Sequence, residues 1–185
     1  MAFSDPCIIS FQGIFENSRW THINSDQNHL LCRNIISDFI EKNEMTKAPR
    51  PLEIINELQI NAYDIDVAGI VHNLVYIRWF EDMRMRFLDR YLPFEDLLKQ
   101  DISPVLAHTE IDYKLPLKFQ DKPVISMWVG SLGRAKWELY FEIKKEGRLV
   151  CRGRQVGYFV HLKRMRPVPV PATLLDEYHR YTESK

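Results

Sequence analysis

The segment YDIDVAGIVHNLVYIRWFEDMR, residues 63–84, places two carboxylates and a glycine just before a helical pattern. Asp64 and Asp66 lie one residue apart, and Gly69 follows them. The first turn of a helix carries unpaired N–H groups and partial positive charge, which stabilise a carboxylate or a developing oxyanion. Asp66 can therefore serve as a nucleophile or general base beside an oxyanion site. A purely structural role as an N-cap or turn former is the alternative.

Neighbouring polar residues have equally distinct alternatives. His72 either assists proton transfer or only caps the helix. Asn73 either positions a carbonyl group or water, or is an ordinary residue of the first helical turn. Asp64 is expected to bond to backbone groups in the turn. Glu81 and Arg84 are three residues apart on one helix face, which predicts an ion pair.

The elements that position these residues follow from the spacing of apolar side chains. ELQINAY, residues 57–63, alternates and predicts a strand. A helix of about five turns, ended by Pro93, is predicted from an apolar stripe at steps of three and four. Its members are Tyr76, Phe80, Met83, Phe87 and Tyr91.

Four alternating segments follow this helix: VLAHTEIDY, PVISMWVGSL, AKWELYFEIKK and LVCRGRQVGYFV. The short turns between successive segments imply antiparallel strands, and EGR at 146–148 reads as a hairpin turn. A proline-rich stretch and a short helix from about Ala172 close the chain. The order predicts an α+β domain at 51–185 whose sheet wraps one central helix. Residues 1–50 are expected to form an extension with one amphipathic helix near 28–44.

Composition excludes several classes of protein. Lys+Arg and Asp+Glu both total 25, which argues against a broad basic surface for nucleic acid. Cys7, Cys32 and Cys151 show no CxxC spacing, so neither disulfides nor a zinc site is expected. Neither a signal peptide nor a membrane span is predicted. We therefore expect a soluble, cytoplasmic protein without a metal or other cofactor.

The segment around Asp66 resembles the signature of the 4-hydroxybenzoyl-CoA thioesterase family of hotdog-fold proteins. That signature is roughly D-x-D-x-x-G-x-V-x-x-x-x-Y, followed by a helix that carries E-x-x-R. The resemblance extends over about residues 52–170 and includes Tyr113, Pro116 and Asp121 downstream. The residues that match the main signature are Asp64, Asp66, Gly69, Val71, Tyr76, Glu81 and Arg84.

The resemblance implies a hotdog fold and hydrolysis of an acyl-CoA thioester to the free acid and CoA. It implies that Asp66 attacks the thioester or activates water, and that a backbone N–H near Asn73 polarises the carbonyl group. It also implies edge-to-edge homodimers, often paired as tetramers, with the active site near the dimer interface.

Substrate contacts are also expected from the resemblance. Gly69 and Tyr76 belong to the expected substrate site. Arg134, Lys163 and Arg164 are expected to contact the CoA phosphates, although each basic residue alone is more often a solvated surface charge. Two other functions stay open: hydrolysis of acyl groups on a carrier protein, and acyl binding without catalysis.

Overall fold

The computed structural model describes residues 50–183. The amphipathic helix predicted near 28–44 lies outside these residues. No helix within the described range is long and apolar enough to cross a membrane.

The long helix α1 spans Asn73–Tyr91 and confirms the predicted element. Its apolar stripe is buried except at Tyr91, which is half-buried. The helix ends where predicted, because Pro93 lacks the N–H that would extend the hydrogen-bonding pattern. Two shorter helices, α2 (Phe94–Lys99) and α3 (Ala172–Glu183), follow later in the chain.

The six strands form one antiparallel sheet in the order β1-β3-β4-β5-β2, and the short β6 also pairs with β5. Strands β3, β4 and β5 form the predicted meander, whereas β2 crosses over to pair with β5. This arrangement leaves β1 and β2 at the two edges of the sheet. The strands are β1 (Ile54–Glu57), β2 (Ile102–Tyr113), β3 (Val124–Leu132), β4 (Lys136–Lys145), β5 (Arg148–His161) and β6 (Arg166–Pro167).

The strand predicted over ELQINAY is wrong, because pairing with β3 stops at Glu57. The backbone N–H of Leu58 still bonds to the Pro123 carbonyl, but the chain then leaves the sheet. A short 3₁₀ turn, Ala62–Asp64, replaces the strand. The buried carboxylate of Asp64 accepts a hydrogen bond from the Asn61 backbone, and this local bond favours a turn over an extended chain.

Helix α1 packs directly on the concave face of the sheet. The ring of Phe80 stacks on Phe141 with the ring centroids 4.2 Å apart. A Cβ at Gly153 would lie 2.3 Å from the Phe80 ring, so only glycine permits this approach. The expected α+β hotdog arrangement, a sheet wrapped around one long helix, is confirmed.

A buried ion cluster on β4 predicts a pH-dependent stability. The Glu142 carboxylate is buried and lies 2.6 Å from Arg50 and 3.0 Å from Lys144. Burial alone raises the pKa of Glu142, but the hydrogen bonds and charges of Arg50 and Lys144 outweigh it and hold the pKa below its ordinary value. Since the folded state holds the proton less tightly, this stabilisation is present above roughly pH 4.3 and is lost as the pH falls through the folded-state pKa.

We expect the Glu142→Gln variant to be less stable than wild type by about 1–2 kcal/mol at pH 7. The difference should shrink between pH 5 and pH 3 in urea unfolding curves, an interval set by the ordinary pKa of about 4.3. Glu57→Gln is the control, since Glu57 is exposed on the edge strand β1. A difference that stayed constant over this interval would contradict the assignment.

Candidate active site

Asp64 anchors the loop that leads into α1. Its fully buried carboxylate accepts hydrogen bonds from the Asn61 backbone N–H at 2.8 Å and from the Arg78 guanidinium. Its backbone carbonyl accepts the His72 N–H at 2.9 Å. Burial alone raises the pKa of Asp64, but the donors from Asn61 and Arg78 outweigh it and hold the pKa below the usual range. Asp64 is therefore a charged structural residue, as expected.

Arg78 is a contributor that the sequence did not reveal. It lies fourteen residues beyond Asp64, so no local spacing connects the two. Only the fold of the loop back onto α1 brings this guanidinium to the buried carboxylate.

Asp66 lies in a tight turn that fixes its carboxylate. Its backbone N–H donates to the Ile70 carbonyl at 2.8 Å, and its carbonyl accepts the Gly69 N–H at 3.0 Å. Oδ1 of the half-buried side chain accepts the Ala68 N–H at 2.8 Å. Oδ2 has no hydrogen-bond partner among residues 50–183. One carboxylate oxygen is thus held by the turn, and the other remains available to a ligand.

Gly69 makes this turn possible because it adopts a positive φ of 74°. A Cβ at this position would meet no atom within 4 Å, so backbone strain alone opposes a substitution. We expect Gly69→Ala to lower the free energy of unfolding by about 1 kcal/mol. Gly133→Ala is the control, because its Cβ would make only ordinary contacts. Chemical denaturation of both variants checks this, and equal stabilities would contradict it.

The start of α1 presents one free backbone donor. His72 is the N-cap, and its Nδ1 accepts the Leu74 N–H at 3.1 Å. The Val75 N–H bonds to the His72 carbonyl at 2.9 Å. The Asn73 N–H has no acceptor within the described part of the chain. The positive end of the helix and this free N–H together can stabilise an oxyanion.

Two tyrosines, Tyr76 and Tyr113, pack together at the start of α1. Tyr76 is buried and packs edge-to-face with Trp79 and Tyr113, with ring centroids 5.3 Å and 5.1 Å away. Burial raises the pKa of Tyr76 to about 12. The Tyr113 hydroxyl donates to the Asn73 carbonyl at 3.3 Å. Tyr76 was expected at the substrate site, but the structure places it in the core, where it positions the helix start.

The basic residues lie at the opposite end of the sheet from the helix start. Arg134 follows β3, and Lys163 and Arg164 follow β5; Lys163 is paired with Asp101 at 2.7 Å. Asp101 directly precedes β2, whose last residue, Tyr113, contacts the helix start. A strand of 12 residues is roughly 36 Å long at about 3.3 Å per residue. A single chain therefore does not bring the basic residues to Asp66.

The predicted pair on α1 is confirmed and has a further partner. Arg84 forms an ion pair with Glu81 and donates to the buried Gln155 Oε1 at 3.0 Å. Gln155 in turn donates to the Thr109 hydroxyl at 3.3 Å. This polar network, which includes Glu81, crosses the interior between α1, β5 and β2. Residues 50–183 contain no cluster of three or more side chains that could hold a metal ion.

Comparison with known proteins agrees with this fold. Residues 60–177 match the thioesterase-like superfamily, so the chain belongs to this family. A candidate esterase of Aquifex aeolicus is 25% identical over 126 residues, which are 68% of this chain and 97% of that protein. A candidate acyl-CoA thioesterase of Bacillus subtilis, YneP, is 21% identical over 70% of this chain and 95% of that protein.

Among solved structures, Slr0204 of Synechocystis, a 1,4-dihydroxy-2-naphthoyl-CoA thioesterase, matches with a TM-score of 0.63. It is 18% identical, and the match covers 69% of this chain and 96% of that one. At this identity the likeness shows the shared fold. The resemblance to hotdog thioesterases that the sequence indicated is thus confirmed.

Proposed function

We propose that this protein is an acyl-CoA thioesterase, which hydrolyses an acyl-CoA ester to the free acid and CoA. The observation that carries the proposal is the pairing of two unsatisfied groups on one short segment. Oδ2 of Asp66 and the backbone N–H of Asn73 both lack a partner among residues 50–183. Membership of the thioesterase-like superfamily and the names of its relatives support the same chemistry.

The residues would divide the reaction between them. The Asn73 N–H donates to the thioester oxygen as negative charge develops there. Asp66 then acts in one of two ways. It attacks the carbonyl carbon, expelling the thiolate and forming a mixed anhydride that water later hydrolyses. Alternatively, it removes a proton from water that attacks directly. Each route consumes one water. In the first route the departing thiolate takes its proton from solvent, and in the second route the proton that Asp66 removed from water passes to the thiolate or to solvent, which leaves Asp66 ionised again.

His72 has a narrower role than its position first suggests. Its Nδ1 is occupied by the Leu74 N–H, so in neutral imidazole the proton lies on Nε2. We propose that His72 chiefly holds the first turn of α1, and so the Asn73 N–H, in place. Any contact with substrate would be made through Nε2–H as a donor.

Asp66 and the basic residues lie far apart in one chain, so a second copy of the chain is needed to bring them together. This separation favours a homodimer. Strand β2 is a long, largely exposed edge that can pair with the same strand of a second copy. Antiparallel pairing would bring Arg134, Lys163 and Arg164 of one copy near Asp66 of the other. We propose that these residues contact the CoA phosphates across this interface, with Lys163 exchanging Asp101 for phosphate. A tetramer of two such dimers is compatible with the same pairing. We also propose that the protein is cytoplasmic.

Thiol release from a panel of esters tests the proposal. Short, long and aromatic acyl groups are offered as CoA esters and again on acyl carrier protein. We expect hydrolysis of at least one CoA ester. Hydrolysis only on the carrier protein would favour the carrier-protein thioesterase, and ester binding without hydrolysis would favour an acyl-binding protein. Sedimentation at micromolar concentration should show dimers or tetramers, and monomer alone would contradict the interface.

A further inference from the structure

A cavity of about 270 Å³ lies between the C-terminal half of α1 and the sheet. At about 30 Å³ per non-hydrogen atom, this volume accommodates a group of roughly nine such atoms. No step assigned to Asp66 or Asn73 requires a side chain of this cavity. Its walls are mainly leucine and phenylalanine side chains, among them Leu88, Leu132, Leu139, Phe159 and Leu174.

The polar side chains of the lining are mostly engaged with protein partners. Within residues 50–183, the polar lining consists of Glu81, Arg84, Ser103 and Trp137. Arg84 forms its ion pair with Glu81 and donates to Gln155 Oε1 at 3.0 Å. The Ser103 hydroxyl donates to the neighbouring backbone carbonyl, that of residue 104, at 3.4 Å. The indole of Trp137 remains to be accounted for.

The indole N–H of Trp137 is a buried donor without an acceptor. The residue is 5% exposed, and no atom of the described chain accepts a hydrogen bond from its Nε1. Nearly all buried donors in folded proteins are paired, because an unpaired donor has lost its hydrogen bond to water without a replacement. The molecule that occupies the cavity is therefore expected to supply the acceptor.

The sheet holds this indole in a fixed position. Trp137 lies opposite Leu132 on β3 and Gly157 on β5. A Cβ at Gly157 would lie 2.4 Å from Cε2 of the indole, the ring atom bonded to Nε1, so the ring rests directly on the glycine. The Val105 carbonyl also lies beside Gly157, but it does not accept the N–H. A donor held in this way loses little conformational entropy when it binds an acceptor.

The surroundings of Trp137 restrict the chemistry of the acceptor. A buried water needs about two to four polar partners, whereas the wall opposite Trp137 is apolar. A carboxylate would bury a further charge, and the charge of Arg84 is already balanced by Glu81. A hydroxyl group would need another acceptor for its own hydrogen. A neutral keto oxygen on an apolar body satisfies the N–H and leaves no new donor unpaired.

We propose that Trp137 is a specificity-determining residue, whose indole N–H donates a hydrogen bond to a keto oxygen on the acyl group of the substrate. The protein then favours an acyl group that carries this oxygen over the plain hydrocarbon chain, which would leave the buried N–H unpaired. The need for an acceptor follows from Trp137 itself. The identification of its carrier as an acyl group rests on the proposed thioesterase function.

Ester kinetics test this selectivity. Octanoyl-CoA is compared with octanoyl-CoA esters that carry a keto group at successive positions of the chain. We expect at least one keto ester to exceed octanoyl-CoA in kcat/KM by about fivefold or more, mainly through a lower KM. Trp137→Phe keeps an aromatic ring but loses the donor, so this ratio should fall close to one.

Trp128→Phe is the matched control for the kinetics. Trp128 is also buried, at 3% exposed, but it does not line the cavity. The control should keep the wild-type ratio between the keto ester and octanoyl-CoA. A wild-type protein that prefers no keto ester, or a preference that survives in Trp137→Phe, would overturn the proposal.

Binding of methyl hexyl ketone tests the hydrogen bond without any chemistry. This ketone matches the size of the cavity and carries one keto oxygen. In protein with isotope-labelled tryptophan, it should move the indole proton resonance of Trp137 downfield as the hydrogen bond forms. Trp137→Phe and Trp128→Phe assign the two resonances, and that of Trp128 should stay in place. Since the shift is measured in wild type, it does not depend on the stability of a variant. An unmoved Trp137 resonance at the solubility limit of the ketone would overturn the proposal.

The two tests separate the role of Trp137 from the proposed function. A shifted Trp137 resonance in a protein that hydrolyses no CoA ester would retain the ketone site and reject the thioesterase. Equal hydrolysis of octanoyl-CoA and all its keto esters, with an unmoved resonance, would retain the thioesterase and reject the role of Trp137.

Discussion

Asp66→Asn is expected to lower kcat for acyl-CoA hydrolysis by about 10³-fold or more. Asparagine has nearly the same shape, and its side-chain oxygen can still accept the Ala68 N–H that fixes the turn. The variant loses only the negative charge and the basic oxygen that would face the thioester. Because the turn survives, KM should change little, which places the loss in the chemical step.

Steady-state thiol release with the best ester of the panel measures both constants. Asp82→Asn is the matched control, because Asp82 is an exposed aspartate on the same helix α1. It should keep wild-type kcat. Activity of the Asp66→Asn variant within tenfold of wild type would move the chemistry to another residue. A thermal unfolding midpoint close to that of wild type would show that the loss does not come from unfolding.

A helix or strand was predictable where its apolar periodicity depends only on contacts along that element. The apolar stripe of α1 and the alternation in β4 arise from contacts that each element makes along its whole length. The position of β1 was not predictable in the same way. Alternation continues past Glu57, but the chain leaves the sheet because the buried carboxylate of Asp64 requires hydrogen-bond donors, one of which is Arg78 fourteen residues away. The pairing of β2 with β5 is likewise a long-range choice that no local pattern encodes.

The same distinction between local and long-range features applies to the candidate site. Asp66, Gly69 and Asn73 form one continuous segment, so their types and spacing already indicated a carboxylate beside a helix start. Tyr76 was expected both in the apolar stripe of α1 and at the substrate site, and it is buried in the core as the stripe predicted. Arg134, Lys163 and Arg164 were also chosen from the sequence, but their separation from Asp66 depends on the length of β2 and appears only once the sheet is built.

Removing the carboxylate in Asp64→Ala should have the largest effect on stability. Its side chain is fully buried and holds the loop to α1 through Asn61 and Arg78. We expect the free energy of unfolding at pH 7 to fall by about 3 kcal/mol. The lower end of the range for a broken buried pair applies, because the remaining Arg78 side chain is half exposed to water.

The kcat of the Asp64→Ala variant tests whether Asp64 also positions Asp66, in addition to stabilising the fold. Asp64 holds the turn in which Asp66 lies, so a loosened turn should also lower kcat about 10²-fold in the folded variant. Arg78→Ala breaks the same ion pair but keeps the Asn61 bond, and it should lose less on both measures. A double-mutant cycle from urea unfolding gives the coupling between Asp64 and Arg78, and kcat is measured well below the unfolding midpoint. Lower stability with unchanged kcat would make Asp64 a residue of the fold only, and the position of Asp66 would then depend on the Ala68, Gly69 and Ile70 bonds of its own turn.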